Sequence, residues 1–363
     1  TASWILVSGG ATGNGTLNLE NGTLNSPNKA IYVGSWGGTG TLNQSGGTIN
    51  ANGLILGRWF NTNATANITG GTLNAGFIQL AASGNGSDTL HATLSVSDGG
   101  IVNSEGDLIA AVGGSAASTG TVNIGTGGVL NIGSTTERWM IVNQWDSAQG
   151  TVNVNGGTLN LNANTDLRFS ANGNTGASSV TLSSGQINGG ASSVVDLNQA
   201  GGAASNNTFN LDGGTLTISQ VYTNNDNGTA TFNLNGGTLK ASNSSANFVD
   251  LGGAGQTAVV KAGGAVIDSN GHNITVVQAL LDGGTGGGLT KNGDGALTLA
   301  GTNTYTGATV VNAGTLYITG SLGASDVTVG SAATIGSGDA SSSIGGDLHL
   351  AAGAKLDVTQ GLL

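Results

Sequence analysis

The chain has no cysteine, a single proline and very little charge: Asp, Glu, Lys and Arg together make up 7% of 363 residues, and aromatics only 4%. Without cysteine there is no disulfide framework and no thiolate metal site, a state compatible with passage through an oxidising compartment. An ordinary globular domain devotes about a quarter of its residues to charge. Bases are the scarcest, 8 against 19 acids, for a net charge of -11. No basic stripe exists to displace counterions from phosphate, so nucleic acid is excluded as a partner. Long apolar runs are also missing: none approaches the roughly 20 residues an apolar helix needs to span a bilayer, so no transmembrane helix is expected. Thr1 leads directly into Trp4-Ile5-Leu6-Val7, so export would depend on a leader already removed or outside this sequence.

What is abundant is glycine, 68 residues with no G-X-Y period, which excludes collagen. The hydrophobic share of 37% argues against disorder. It is made of Leu, Ile and Val recurring at regular intervals. One phrase returns as Asn21-Gly22-Thr23-Leu24-Asn25, Gly46-Gly47-Thr48-Ile49-Asn50, Gly70-Gly71-Thr72-Leu73-Asn74 and onward to Gly263-Gly264-Ala265-Val266, in steps of roughly 23 to 29 residues. A second alternating segment precedes each copy, as in Thr121-Val122-Asn123-Ile124 and Thr231-Phe232-Asn233-Leu234. A third follows, as in Ile31-Tyr32-Val33, Leu54-Ile55-Leu56 and Val195-Asp196-Leu197.

Alternation at period two turns Leu, Val, Ile or Phe inward and Thr, Ser or Asn outward. Three short strands cannot bury a face alone, but stacked coil on coil they enclose a continuous apolar core. The repeat therefore predicts an all-β, single-stranded right-handed parallel β-helix (a β-solenoid) with three short strands per coil. About thirteen coils of ~27 residues, ~4.8 Å apart, give a rod roughly 60 Å long. A recurrent Asn just after a strand is placed to bond the Asn one coil away, and Pro27 is expected in a loop.

The repeat changes character after the main run. Gly288-Leu289-Thr290-Lys291-Asn292-Gly293-Asp294-Gly295-Ala296-Leu297-Thr298-Leu299 leads into Gly301-Thr302-Asn303-Thr304-Tyr305-Thr306-Gly307, then Thr309-Val310-Val311-Asn312-Ala313-Gly314-Thr315-Leu316. This stretch resembles the autotransporter-associated β-strand repeat. The resemblance implies a β-helical passenger outside the cell or on the bacterial outer surface, in which the repeat aids export and folding and performs no chemistry. Three segments of one continuous solenoid are expected: 1–285 with the Gly-Gly-Thr phrase, 286–320 with the autotransporter-type repeat, and 321–363 as further coils. These 363 residues include no translocator barrel of the kind the resemblance would pair with a passenger, and the last coil is expected to break off at Gln360-Gly361-Leu362-Leu363.

Residues for chemistry are sparse. His91, His272 and His349 are not one or two periods apart, and no His-x-x-x-His spacing occurs, so no metal site or cofactor is expected. A glycan-cleaving β-helix needs two carboxylates about 5 to 9 Å apart. Asp166 precedes the strand matching that of Asp196, one coil earlier; Asp196 and Asp250 are two coils apart. With no flanking basic cluster, no catalytic residue is assigned and the chain is read as not an enzyme. Asn224-Asn225-Asp226-Asn227-Gly228 offers oxygens in a loop but lacks the repeat of calcium-binding solenoids, and reads as an Asn-rich turn.

Aromatics are the more specific feature. Trp36, Trp59 and Trp145 each follow the third strand by three residues, and Trp36 and Trp59, one period apart, are expected to stack at a corner. Arg58 and Arg138 stand beside Trp59 and Trp139. Trp36, Trp59, Trp145, Arg58 and Trp139 are thus the candidate interface or glycan-contact residues. Two functions remain. One is a structural or adhesive rod whose partner is itself, stacked end to end into a surface fibre; the other is a module that binds or degrades extracellular polysaccharide.

Overall fold

The computed structural model describes residues 4–83, 86–134, 136–162, 164–284, 286–338 and 342–359. They form a parallel β-solenoid of about thirteen turns, three strands to a coil. The one helical segment among them is the single 3-10 turn Ala171–Gly173. The coil expected to break off at Gln360–Leu363 lies outside the described residues.

Each coil contributes one strand to each of three parallel ladders. The first runs through Asn14–Leu19, Thr39–Gln44, Thr62–Ile68, Leu90–Val96 and Thr119–Gly125. Its register aligns Leu42, Ala66, Leu94 and Val122 as one buried column, while Thr41, Thr65, Thr93 and Thr121 alternate outward. Further along, Phe209 lies over Phe232, centroids 5.6 Å apart in an edge-to-face contact, and Phe232 faces Ala258 in the next coil. A large side chain beside a small one keeps the core filled at constant coil spacing.

The second ladder carries the Gly-Gly-Thr-Leu-Asn phrase. Gly47 has φ 68° and Gly71 φ 70°, and a Cβ on either would collide with the backbone of the coil below. That is why the pair repeats: only glycine permits both the left-handed turn and the close stacking. The asparagines bond as their spacing suggested. Nδ2 of Asn50, Asn74, Asn103, Asn131, Asn160 and Asn188 each donates to Oδ1 of its counterpart one coil earlier, beginning at Asn25, over 2.7 to 3.3 Å. They sit within the strands, however, on the outward face, and not after the strands.

Strands also run longer than expected. Thr23–Ser35 and Gln149–Leu161 run on past a corner, with Gly34 (φ 70°) and Gly156 (φ 87°) as the left-handed residues within them. Pro27 lies inside Thr23–Ser35 at a register shift between Ser26 and Ala30, where the ladder requires no N–H from it.

Ladder partners are 24 to 29 residues apart in the early coils. Beyond residue 289 the coil shortens: Asn312 bonds Asn292 at a separation of 20, and Ser325 reaches Gly307 at 18. The pairing runs unbroken across this change, from Ala265–Asp268 through Leu289–Asn292 and Thr309–Val311 to Val327–Val329 and Leu348–Leu350.

Candidate functional site

The third ladder builds the aromatic corner. Its register aligns Ser35, Arg58 and Ala82, so the residues that follow, Trp36, Trp59 and Ser83, round the same corner in successive coils. Trp36 and Trp59 turn it in left-handed backbone, φ 50° and 56°, and Phe60 follows at 54°. Bulky side chains rarely adopt this conformation, which costs on the order of 1–3 kcal/mol and persists where surroundings over-determine it. Here Phe60 N–H donates to Asp88 Oδ2 at 3.0 Å, Ser83 Oγ donates to the same oxygen at 2.6 Å, and Thr62 Oγ1 donates to the Trp59 carbonyl at 2.8 Å.

The Trp36 and Trp59 rings meet as expected, centroids 5.0 Å apart and tilted by 34°. Two further aromatics join them that the sequence reading left out. Tyr32 stacks on Trp59 at 6.5 Å and Trp4 packs against both Tyr32 and Trp36. The Arg58 guanidinium lies 3.9 Å from the Trp59 centroid and 5.1 Å from that of Tyr32, and its Nη1 donates to Tyr32 Oη at 2.6 Å. A cation held flat between two rings and tied to one hydroxyl is a fixed surface.

Trp145 stands apart from this cluster and shares one groove with Trp59. Beyond Trp59 the next two coils bring only small residues to the corner, Ala82-Ser83 and then Val112-Gly113, before Trp145 closes the row. A groove of about 290 Å³ results, lined by Arg58, Trp59, Gln79, Ala82, Ser83, Val112 and Trp145. Gly113 is needed there: a Cβ would lie 2.7 Å from the Ser83 carbonyl oxygen and 3.1 Å from Asp146 Oδ2. Trp145 is 47% exposed, and among the described residues no ring stacks on it.

Trp139 belongs to a different cluster, and its cation is not the neighbouring Arg138. Arg168, one coil on, lies 4.5 Å from the Trp139 ring, while Arg138 Nε donates to the Glu105 carbonyl. The same Arg168 bonds Asp166 at 2.7 Å and reaches Glu137 at 3.8 Å. Asp166 opens the strand Asp166–Arg168, and its Oδ1 accepts Val194 N–H at 3.1 Å; burial raises its carboxyl above the usual range. Asp196 is 1% exposed, accepts the N–H groups of Asn198 and Asn224, and is pushed up to about 6 by burial. Tyr222 separates it from Asp250, so that pair is two coils apart. Both Asp166 and Asp196 are engaged in holding one coil to the next.

The Asn-rich turn is likewise committed to packing. Asn198 Nδ2 donates to the carbonyls of Asn225 and Asn227, and Asp226 Oδ1 accepts Gly253 N–H at 3.1 Å. Among the described residues no three His, Cys, Asp or Glu side chains gather as a metal site. His91 bonds Thr119 in the next coil at 2.9 Å.

The shortened coils, like several coils before them, bury polar side chains among the apolar ones. Lys291 is fully buried, its Nζ donating to Ser269 Oγ and to the carbonyls of Asn292, Gly293 and Ala313 at 2.6 to 3.1 Å. Burial lowers its pKa to about 8. Asn303 donates to the carbonyls of Gly301 and Ser321 and accepts Leu280 N–H. Buried Tyr305 bonds Thr309, which in turn bonds Ser325. Residues 289–318, which hold most of these groups, match the family model of the passenger-associated-transport-repeat. No curated protein and no solved structure matches the chain.

Proposed function

We propose that this chain is the rod of an exported passenger, working outside the cell or on its surface as a non-catalytic spacer or adhesive scaffold. The observation that carries this reading is the passenger-associated-transport repeat at 289–318, continuous in pairing with the coils before and after it. The use made of the polar side chains agrees with it. Asp88, Asp166, Asp196, Lys291 and Asn303 are spent on joining coils, which supports a stiff rod and occupies these side chains in packing. A solenoid grows by adding coils. A second copy stacking on the first is therefore the self-association the architecture favours, a head-to-tail contact that does not close.

Protease treatment of intact cells, followed by immunoblotting for this chain, tests the location. Digestion before lysis is the expected result, and survival until lysis overturns the reading. Negative-stain microscopy of the same protein tests the assembly: filaments support end-to-end stacking, and separate rods remove it. Release of reducing sugar from any polysaccharide by the purified chain would end the non-catalytic assignment.

A further inference from the structure

We propose that the groove between Trp59 and Trp145 binds an extended glycan lying along the rod axis. Trp59 and Trp145 are three coil steps apart, which at ~4.8 Å per coil separates the two aromatic walls by roughly 14 Å. One coil step is close to the length of one pyranose in an extended chain, so about three sugar units fit from wall to wall.

The lining suits such a polymer better than other occupants. Pyranose rings present flat C–H faces rimmed by hydroxyls, and they bind where an aromatic face adjoins polar donors and acceptors. Trp145 offers a free face. Trp59 is held by Trp36 from the preceding coil and by the Arg58 guanidinium beside it, so little ordering accompanies binding. Gln79 lies in the floor, and Arg58 has no carboxylate partner: among the described residues the ion pairs all belong to Arg168. The guanidinium thus keeps N–H groups beyond its single bond to Tyr32 for a sugar oxygen or uronate.

The volume of about 290 Å³ is at the lower limit for an enclosed small-molecule site, whereas an open groove with an aromatic ring at each axial end holds a short stretch of a longer chain that passes over both rings. A peptide adding as a strand would need free backbone groups, and the third ladder spends them on neighbouring coils. Nucleic acid is opposed by the net charge of -11.

The proposal relies on the extracellular reading only for where the polymer is met, and the test uses the purified chain so that either can fail alone. Cellotetraose, xylotetraose, mannotetraose, chitotetraose and a galacturonate tetramer would be titrated by calorimetry and by tryptophan fluorescence. Binding of one or more is expected, weakened about tenfold or more by Trp145→Ala and by Trp59→Ala and unchanged by Trp139→Ala. Trp145 is exposed, so its removal leaves the core intact, and Trp145→Phe should retain most of the affinity. No binding by any of the five at millimolar concentration overturns the proposal. So does binding that Trp145→Ala leaves unaltered.

Discussion

Lys291 is the most exacting test of how the shortened coils hold together. Its ammonium is fully buried and donates to four oxygens, three of them backbone carbonyls. Replacing it by Met keeps much of the volume and removes the donor. Asn292 O retains Ser269 N–H, but the Gly293 and Ala313 carbonyls lose Nζ, at about 1–3 kcal/mol each. Against this, the variant no longer buries a cation. The two effects are similar in size and opposed at neutral pH, so stability at one pH does not separate them.

The pH dependence does. Burial lowers the lysine from 10.5 to about 8, so between those values the unfolded chain binds more protons than the native one. Stability from this group therefore rises as pH increases from about 8 toward 10.5, the buried charge being relieved. At 1.36 kcal/mol per unit the shift sets an upper bound of roughly 3 kcal/mol, and about 1–3 is expected once screening by nearby water is included. Urea unfolding followed by circular dichroism at pH 7, 8, 9 and 10 would be compared for the wild type and Lys291→Met. The wild type should gain on the variant by that amount over the range. Tyr305, whose pKa burial raises, opposes this trend above pH 10 in both proteins and cancels in the difference. Parallel pH profiles would refute the buried-cation account.

Asn103→Ala removes two bonds from the middle of the asparagine ladder, to Asn74 and from Asn131, and should cost about 1–2 kcal/mol in urea unfolding; no loss would make the ladder ornamental to stability. Asp196, with its carboxyl raised from 3.8 to about 6, contributes stability that is fully present below pH 3.8 and is lost as pH rises through 6. Thermal unfolding between pH 4 and 8 should show that decline in the wild type and a flatter profile in Asp196→Asn, and identical profiles would exclude Asp196 as its source. Phe232→Ala opens a cavity between Phe209 and Ala258 and should cost about 3–5 kcal/mol, against under about 0.5 for Thr231→Ala on the outward face of the same strand.

The solenoid was legible because its two periods are both local. Alternation within a strand names the inward residue, and the return of Gly-Gly-Thr-Leu-Asn names the coil. Trp36 and Trp59 could be paired because the same strand phrase precedes each. Contacts between residues at different offsets in the coil were not legible. Coil length varies, from 24 to 29 residues in the early coils and down to 18 to 20 after residue 289, so the reach of Arg168 to Trp139 is invisible until the strands are aligned, and Arg138 attracts attention by adjacency alone. Tyr32 did leave a signal, since Ile31-Tyr32-Val33 turns it outward toward Arg58. Trp4 had no copy of the phrase before it to fix its place. Lys291 left one as well: alternation sets it on the same face as Leu289, inside, where a lysine is least expected.

The repeat at 289–318 buries Lys291, Asn303 and Tyr305 among its apolar residues. Most coils in this rod are specified by apolar character and size, properties many sequences satisfy, so their composition varies freely around one architecture. In this stretch bonded partners in successive coils are only 18 to 20 residues apart. The carbonyl oxygens at Gly293, Ala313, Gly301 and Ser321 are met by particular side-chain donors. An unmet buried carbonyl costs about 1–3 kcal/mol, more than most exchanges between aliphatic side chains, so these positions admit few alternatives. The short coil is therefore one part of the rod, as is the turn held by Asn198, where identity and not merely pattern is required. It is also where an export-associated repeat can be told from the generic coils stacked around it.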